Sequence, residues 1–403
     1  MTASITAVPG FRAAGVPAGL KQQGALDLAL IVSDAPCVAA ASFTRNLVKA
    51  APVLFDQRVL VERGDNVRAV VINAKNANAV TGEQGLHDAA EMARLASEAL
   101  SLPSEAGVFV MSTGVIGVPL PMAKIARGIR LAAGAVQSGE DAGMAAARAI
   151  MTTDTVPKTA GTTVELHGRT VTIAGMAKGA GMIHPDMATL LVVIATDASI
   201  GRQALQAALD FAVDRSFNCL TIDGDTSTND TVLLLANGAA GRPEIRADDP
   251  EFAGFSEALT RVCVELARQV ARDGEGATKF VTIEVRGAGT FEEARRIGRT
   301  IATSPLVKTA MFGRDANWGR VLAAAGRAGV AFDPRRASLW FGDLQLLQEG
   351  TPIAFDEARV LEILSAPDVT IGLELDPLGE ATATVWTCDF SFDYVSINAD
   401  YRT

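Results

Sequence analysis

Two rhythms of apolar and polar positions run along the chain. Short apolar runs rich in β-branched residues predict buried strands: LDLALIVS at 27–34, VRAVVIN at 67–73, and 107–111, which closes on Thr113-Gly114. Residues 83–101 gather Leu86, Ala89, Ala90, Met92, Ala93, Leu95, Ala96 and Leu100 on one broad side, the signature of an amphipathic helix. Two further helices are predicted near 122–137 and 142–152. TVELHGRTVTIAG at 163–175 predicts a hairpin turning at His167-Gly168.

In the second half, TLLVVIATD at 189–197 and TVLLLAN at 231–237 predict buried strands, with a helix at 202–216 and a short strand, LTID, before the polar loop DGDTSTND at 223–230. A helix at 256–272, a strand KFVTIEVR at 279–286 and helices near 291–303 and 318–328 follow. The alternating tail, 380–398, predicts one or two strands. Strands and helices mix without a regular βαβ series, so the expected fold is α/β (α+β layered), with sheets covered by helices.

Composition narrows the function. Hydrophobic residues make up 49% and aromatics only 5%, so Ala, Val, Leu and Gly must fill the core. The net charge is −10 and no Lys/Arg-rich run occurs, which argues against a nucleic-acid partner. No stretch is long and apolar enough for a membrane span, and the first residues lack the pattern of a signal peptide, so a cytoplasmic location is expected. Cys37, Cys219, Cys263 and Cys388 are far apart and predict small buried hydrophobes rather than a zinc or disulfide framework. Three histidines are too few for a histidine metal site, and no metal is expected.

The segment KGAGMIHPDMATLLVVIATDA, 178–198, carries the candidate chemistry. Gly179 and Gly181 permit unusual backbone angles, Pro185 restricts His184, and Thr189 opens a buried strand. Such a turn presents one hydroxyl at a strand end. A hydroxyl becomes a competent nucleophile when its own α-amine can take the proton. An α-amine titrates near ~7.7–8.0, so much of it is free base at neutral pH. Thr189 gains that amine only if the Ala188–Thr189 bond opens. The ordinary alternative is a strand Thr after a Gly/Pro turn.

KGAGMIHPDMATLL resembles the processing site of the ArgJ family, the ornithine acetyltransferases. The resemblance extends in order through GFRAAGVPAGLK, VINAKNANAVTG, STGVIGVPLP, MTTDTVPK, DGDTSTND, DGEGATKF, DANWGRVLAAAGRAG and the terminal YVSINADYRT. It implies an N-terminal-nucleophile-like acetyltransferase fold of the ArgJ/DmpA type. It further implies self-cleavage into an α chain, 1–188, and a β chain, 189–403, paired as α2β2.

By the same resemblance, Thr189 is the nucleophile and Thr113 with Gly114 stabilises the oxyanion. Thr155, Lys178, Thr189, Glu275, Asn398 and Thr403 contact substrate. The implied reaction moves acetyl from N2-acetylornithine to glutamate without a cofactor, and some members also take acetyl-CoA as substrate. The alternatives are an N-terminal-nucleophile amidohydrolase or aminopeptidase, with water as acceptor, and a phosphate-binding protein built on the Gly-rich segments. The spacing at 179–181 fits neither GxGxxG nor a P-loop, which disfavours the last. DGDTSTND lacks the spacing of an EF-hand and predicts a hydrogen-bonded polar turn near the site. His184 is expected to be structural.

Overall fold

A computed structural model describes residues 3–184, 190–241 and 243–400. The first half runs β1 (Phe11–Val16), β2 (Leu28–Phe43), α1 (Ala51–Arg63), β3 (Val67–Asn73), α2 (Gly82–Ala99), β4 (Gly107–Ser112), α3 (Met122–Ala135), α4 (Glu140–Ala149), β5 (Lys158–Leu166) and β6 (Arg169–Lys178). Next come β7 (Leu191–Thr196), α5 (Arg202–Arg215), β8 (Thr231–Ala236) and α6 (Phe252–Arg272). The last third holds β9 (Phe280–Ala288), α7 (Phe291–Ala302), α8 (Pro305–Gly313), α9 (Trp318–Gly326), β10 (Ser338–Phe341), β11 (Leu344–Gln348), β12 (Thr351–Pro352), α10 (Glu357–Ser365), β13 (Asp368–Glu374), β14 (Ala381–Cys388) and α11 (Phe392–Asp400).

The fold is mixed α/β, with sheets packed by helices. The larger sheet has the order β4-β3-β2-β8-β7-β6-β5, with β1 paired to β2. Its hinge is β2. Residues 28–32 pair antiparallel with β3, the register slips between Val32 and Cys37, and residues 38–43 pair antiparallel with β8. The two halves of the sheet share one core that includes Ile31, Ile72, Phe109, Met176, Val193 and Leu233. Along each strand the side chains alternate between this core and an outer one. Leu30, Val71 and Val110 pack outward with α2 and α3, and Val192 and Ile194 with α5 and α6. Both faces are covered, so β7 and β8, a parallel pair, are buried at every position. The smaller sheet, β12-β11-β10-β13-β9-β14, joins the same outer core through α6 and α7.

The predicted strand at 27–34 extends to Phe43. The small residues of the added VAAASF conceal it from a periodicity reading, yet Ala39 and Ala40 are fully buried. The hairpin turns where predicted, with His167 at φ 52° and Gly168 at φ 69°, both left-handed as a two-residue turn needs. LTID is not a strand: Leu220 makes one bridge to Trp386, and Thr221 and Ile222 donate to the Trp386 and Ile183 carbonyls. The second part of the predicted tail strand is the helix α11. The four cysteines are free and buried. Among the described residues no helix is long and apolar enough to cross a membrane.

The close packing of β1 on α4 depends on Gly15. A Cβ there would lie 2.1 Å from the Ala145 carbonyl oxygen, which is helix backbone and cannot rotate away. Gly15→Ala should lower stability by ~1–3 kcal/mol, the usual cost of overpacking. It should appear as a lower urea midpoint at unchanged slope.

Candidate active site

Two strand ends and one loop meet at the site. β4 ends at Ser112-Thr113, β6 ends at Lys178, and the loop before β8 carries Ser227 to Asp230. Asn229 pins two of them together by donating from its side-chain amide to the Ala77 (2.6 Å) and Ser112 (2.8 Å) carbonyls. The result is a cavity of about 260 Å3 lined by Thr113, Gly114, Thr152, Thr153, Lys178, Gly181, Met182, Asp223, Asn229, Glu275, Tyr394 and Asn398, among others.

Gly114 has φ 137°, and a Cβ there would fall 2.1 Å from the Lys75 carbonyl carbon, so only glycine fits this approach. The Thr113 N–H is taken by the Asn73 carbonyl at 3.1 Å. That leaves the Thr113 hydroxyl and the Gly114 N–H as the donors this pair can offer a ligand.

Lys178 is 4% exposed, not a solvated surface lysine, and its ammonium donates to the Thr113 hydroxyl at 3.3 Å. Burial pulls it below the usual lysine range, and Asp154 is the main opposing influence. Asp154 itself accepts from the Gly179 N–H (2.7 Å) and from Lys158 (2.6 Å). Against burial, the Lys178 and Lys158 ammoniums hold its carboxyl well below the usual carboxylate range.

Lys158, fully buried, also pairs with Asp273 at 2.6 Å. Asp273 in turn accepts from the N–H and hydroxyl of Thr155. Thr155 therefore faces Asp273, and Thr152 and Thr153 line the cavity in its place.

Glu275 donates its N–H to the Ala180 carbonyl at 2.7 Å, and its carboxylate accepts from the Asn398 amide at 2.9 Å. A Cβ on Gly181 would lie 2.3 Å from a Glu275 carboxylate oxygen. A side chain on Gly181 would have to push the Glu275 carboxylate from its present position, and Gly179, at φ 157°, serves its backbone angle.

Asp223 accepts from the Met182 and Ile183 N–H groups at 2.5 and 2.8 Å, fixing the chain just before 185. The loop is the polar turn its sequence predicted. His184 sits outside the cavity, between the Thr221 hydroxyl (3.2 Å) and Arg299 (3.4 Å). Thr189, Ala188 and Thr403 lie outside the described residues. The Leu190 carbonyl accepts from the Thr231 N–H at 3.1 Å.

Sequence reasoning missed Asp154 and Lys158, and took Asp230 only as part of a polar turn. The first two stand in MTTDTVPK, where the family resemblance singles out Thr155 alone. Asp230 closes DGDTSTND. Its carboxylate is buried with no hydrogen-bond partner of ordinary geometry among the described residues. Burial pushes it well above the usual range, with Lys178 the main opposing influence. Among the described residues no group of three or more His, Cys, Asp or Glu side chains is placed to hold a metal.

Burial is the largest influence raising Asp223, to about 6, and Asp225 adds to it. A carboxyl raised in the folded state binds protons more tightly there than in the unfolded chain. Its contribution to stability is therefore full at low pH and falls as pH rises from about 4 to about 6. Asp223→Asn should remove that component. Urea midpoints across pH 4–7 should fall less steeply with pH in the variant than in the parent.

The ArgJ family pattern matches residues 12–403. The arginine biosynthesis bifunctional protein ArgJ of Symbiobacterium thermophilum is 53% identical, over 100% of this chain and 99% of that protein. The mitochondrial ArgJ of Yarrowia lipolytica is 48% identical, over 98% of this chain and 94% of that one. Among solved structures, the ornithine acetyltransferase of Mycobacterium tuberculosis in complex with ornithine is 46% identical. It covers 47% of this chain and 96% of that chain, with a TM-score of 0.42.

Proposed function

This chain belongs to the ArgJ family and is an acetyltransferase, and from that premise we propose that it carries acetyl from N2-acetylornithine to glutamate on the hydroxyl of Thr189. The observation that supports this most is the convergence of Thr113, Gly114, Lys178, Glu275 and Asn398 on one cavity, which Gly181 and Met182, a few positions before Thr189 in sequence, also line.

The sequence of events begins with the backbone. The Thr189 hydroxyl attacks the Ala188 carbonyl, the peptide C–N bond breaks, and an ester forms between Ala188 and the Thr189 oxygen. Water hydrolyses it. The α chain, 1–188, then ends in a carboxylate and the β chain, 189–403, begins with a free amine. That amine takes the hydroxyl proton as Thr189 attacks the acetyl carbonyl of acetylornithine. The proton passes to the departing ornithine α-amine. Glutamate enters as the free amine at its α-nitrogen and collects the acetyl group, and the Thr189 oxygen regains a proton.

In both halves the developing oxyanion is met by the Gly114 N–H and the Thr113 hydroxyl. One such donor typically contributes ~2.7–4 kcal/mol. Lys178 holds the substrate α-carboxylate as a compact charge. Glu275, oriented by Asn398, faces the side-chain end of the substrate, where the ornithine ammonium pairs with it. Thr403 is the further substrate contact in this scheme, while Thr155, whose hydroxyl is held by Asp273, acts by fixing that carboxylate. No metal or redox cofactor takes part, and acetyl-CoA serves as a second acetyl donor to the same oxygen. The working form is an α2β2 assembly in the cytoplasm.

Thr189→Ala should give a single full-length polypeptide by intact mass under denaturing conditions and no acetyl transfer. Thr189→Ser should retain partial processing. Two normal fragments from Thr189→Ala would sink the proposal. Acetylornithine incubated with the enzyme should yield acetylglutamate only when glutamate is added. Free acetate released at a rate indifferent to glutamate would favour the amidohydrolase instead.

A further inference from the structure

The cavity's one buried cation among the described residues is influenced by several charges, of which Glu275 lines the cavity and Asp154, Lys158 and Asp230 stand behind it. Lys178 has an ammonium that donates to the Thr113 hydroxyl, with no carboxylate within ion-pair distance among the described residues. A wholly buried ammonium with so little direct compensation tends to lose its proton. Five charged groups bear on it from the surrounding elements. Asp154 approaches from the loop before β5, Glu275 from the turn after α6, and Asp230 from the loop before β8. Lys158 on β5 opposes them, and Lys21, near the start of the chain, feels the same repulsion.

Asp154 stands first among the acids. Backbone hydrogen bonds hold its carboxylate in place. One oxygen accepts from Thr152 N–H at 2.9 Å, and the other from Gly179 N–H, the residue following Lys178. The second oxygen is shared with Lys158, whose ammonium lies between Asp154 and Asp273 at 2.6 Å from each. Lys158 thus draws on the same carboxylate that steadies Lys178.

We propose that Asp154 and Lys158 are positioning residues that act in opposition on Lys178: Asp154 keeps its ammonium charged and aimed at the cavity, and Lys158 limits that pull. The pair then determines how tightly, and up to what pH, the cavity holds a substrate carboxylate. The inference rests on the assignment of Lys178 to the carboxylate but not on Thr189 chemistry.

Binding without turnover separates the two. Acetylglutamate, whose carboxylates do not titrate above pH 6 and whose nitrogen is an amide, is titrated by calorimetry from pH 6 to 10 into the Thr189→Ala chain, which cannot turn it over. Affinity should hold on the acid side and fall on the alkaline side as Lys178 loses its proton.

Adding Asp154→Asn should move the midpoint of that fall to lower pH by about one unit, so that binding at the parent's midpoint weakens roughly fivefold. Adding Lys158→Met should move the midpoint upward, since a like charge is removed and Asp154 is released to Lys178. Lys158→Gln, which can still donate to a carboxylate, replaces Lys158→Met if the latter does not fold by circular dichroism. Opposite displacements are the expected result, and either variant alone suffices to decide. Midpoints that stay put, or that move the same way, overturn the proposal, because a purely structural role weakens binding at every pH alike. Absence of acetylglutamate binding in the parent overturns it too. Intact-mass analysis of the unmutated protein decides the Thr189 scheme independently.

Discussion

The site depends on a buried ammonium held between two carboxylates. Lys158 sits at 2.6 Å from both Asp154 and Asp273 with its side chain fully enclosed. Withdrawing these charges from water is costly. The arrangement persists because each carboxylate also accepts backbone N–H groups: Thr152 and Gly179 on Asp154, and Thr155 on Asp273. The consequence is geometric. The loop at 152–155, the end of β6 and the turn that carries Glu275 cannot shift independently. Breaking such a pair by removing one member typically costs roughly 3–5 kcal/mol, because the other charge is stranded. The described residues proposed to touch substrate hang, within a few bonds, from this tie or from Asn229.

Glycine completes the arrangement at two walls of the cavity by different means. Gly114 lets β4 end against the backbone at Lys75, and Gly181 leaves room for the Glu275 carboxylate. One is a matter of backbone angle and approach, the other of volume alone. Burial supplies the electrostatic character. Lys178, Asp223 and Asp230 are all displaced from their usual titration by desolvation first and by neighbours second. A cavity lined by one enclosed cation, Lys178, and by the carboxyls of Asp223 and Glu275 suits an amino-acid ligand that carries both signs of charge.

How much of this was legible in the chain depended on side-chain size and on distance in sequence. β3 falls on the predicted 67–73, because Val and Ile dominate both its faces. The His167-Gly168 turn was legible because two left-handed residues in a row favour that composition. The second half of β2 was not, since Ala-rich strands lack the apolar bulk that periodicity detects. The tail at 392–400 alternates well enough to imitate a strand, yet it is a helix whose Tyr394 and Asn398 line the cavity and whose Phe392 is exposed. At the site, motif resemblance led to Lys178, Glu275 and Asn398. The Lys158–Asp273 contact spans 115 positions, and no local pattern announces a pairing across that distance.

The strand order carries a consequence for the life history of the molecule. β6 pairs with β7, Lys178 opposite Leu191, and β7 lies parallel to β8 in the interior of the sheet. The residues between β6 and β7 include 188 and 189. A polypeptide severed there would be left as two pieces interleaved within a single sheet, neither with a complete hydrophobic surface of its own. Association of separate pieces would have to rebuild central ladders that ordinarily zip up while the connection is intact. For a chain divided there, the architecture would favour a one-way history: shaped while continuous, with no easy road back once cut.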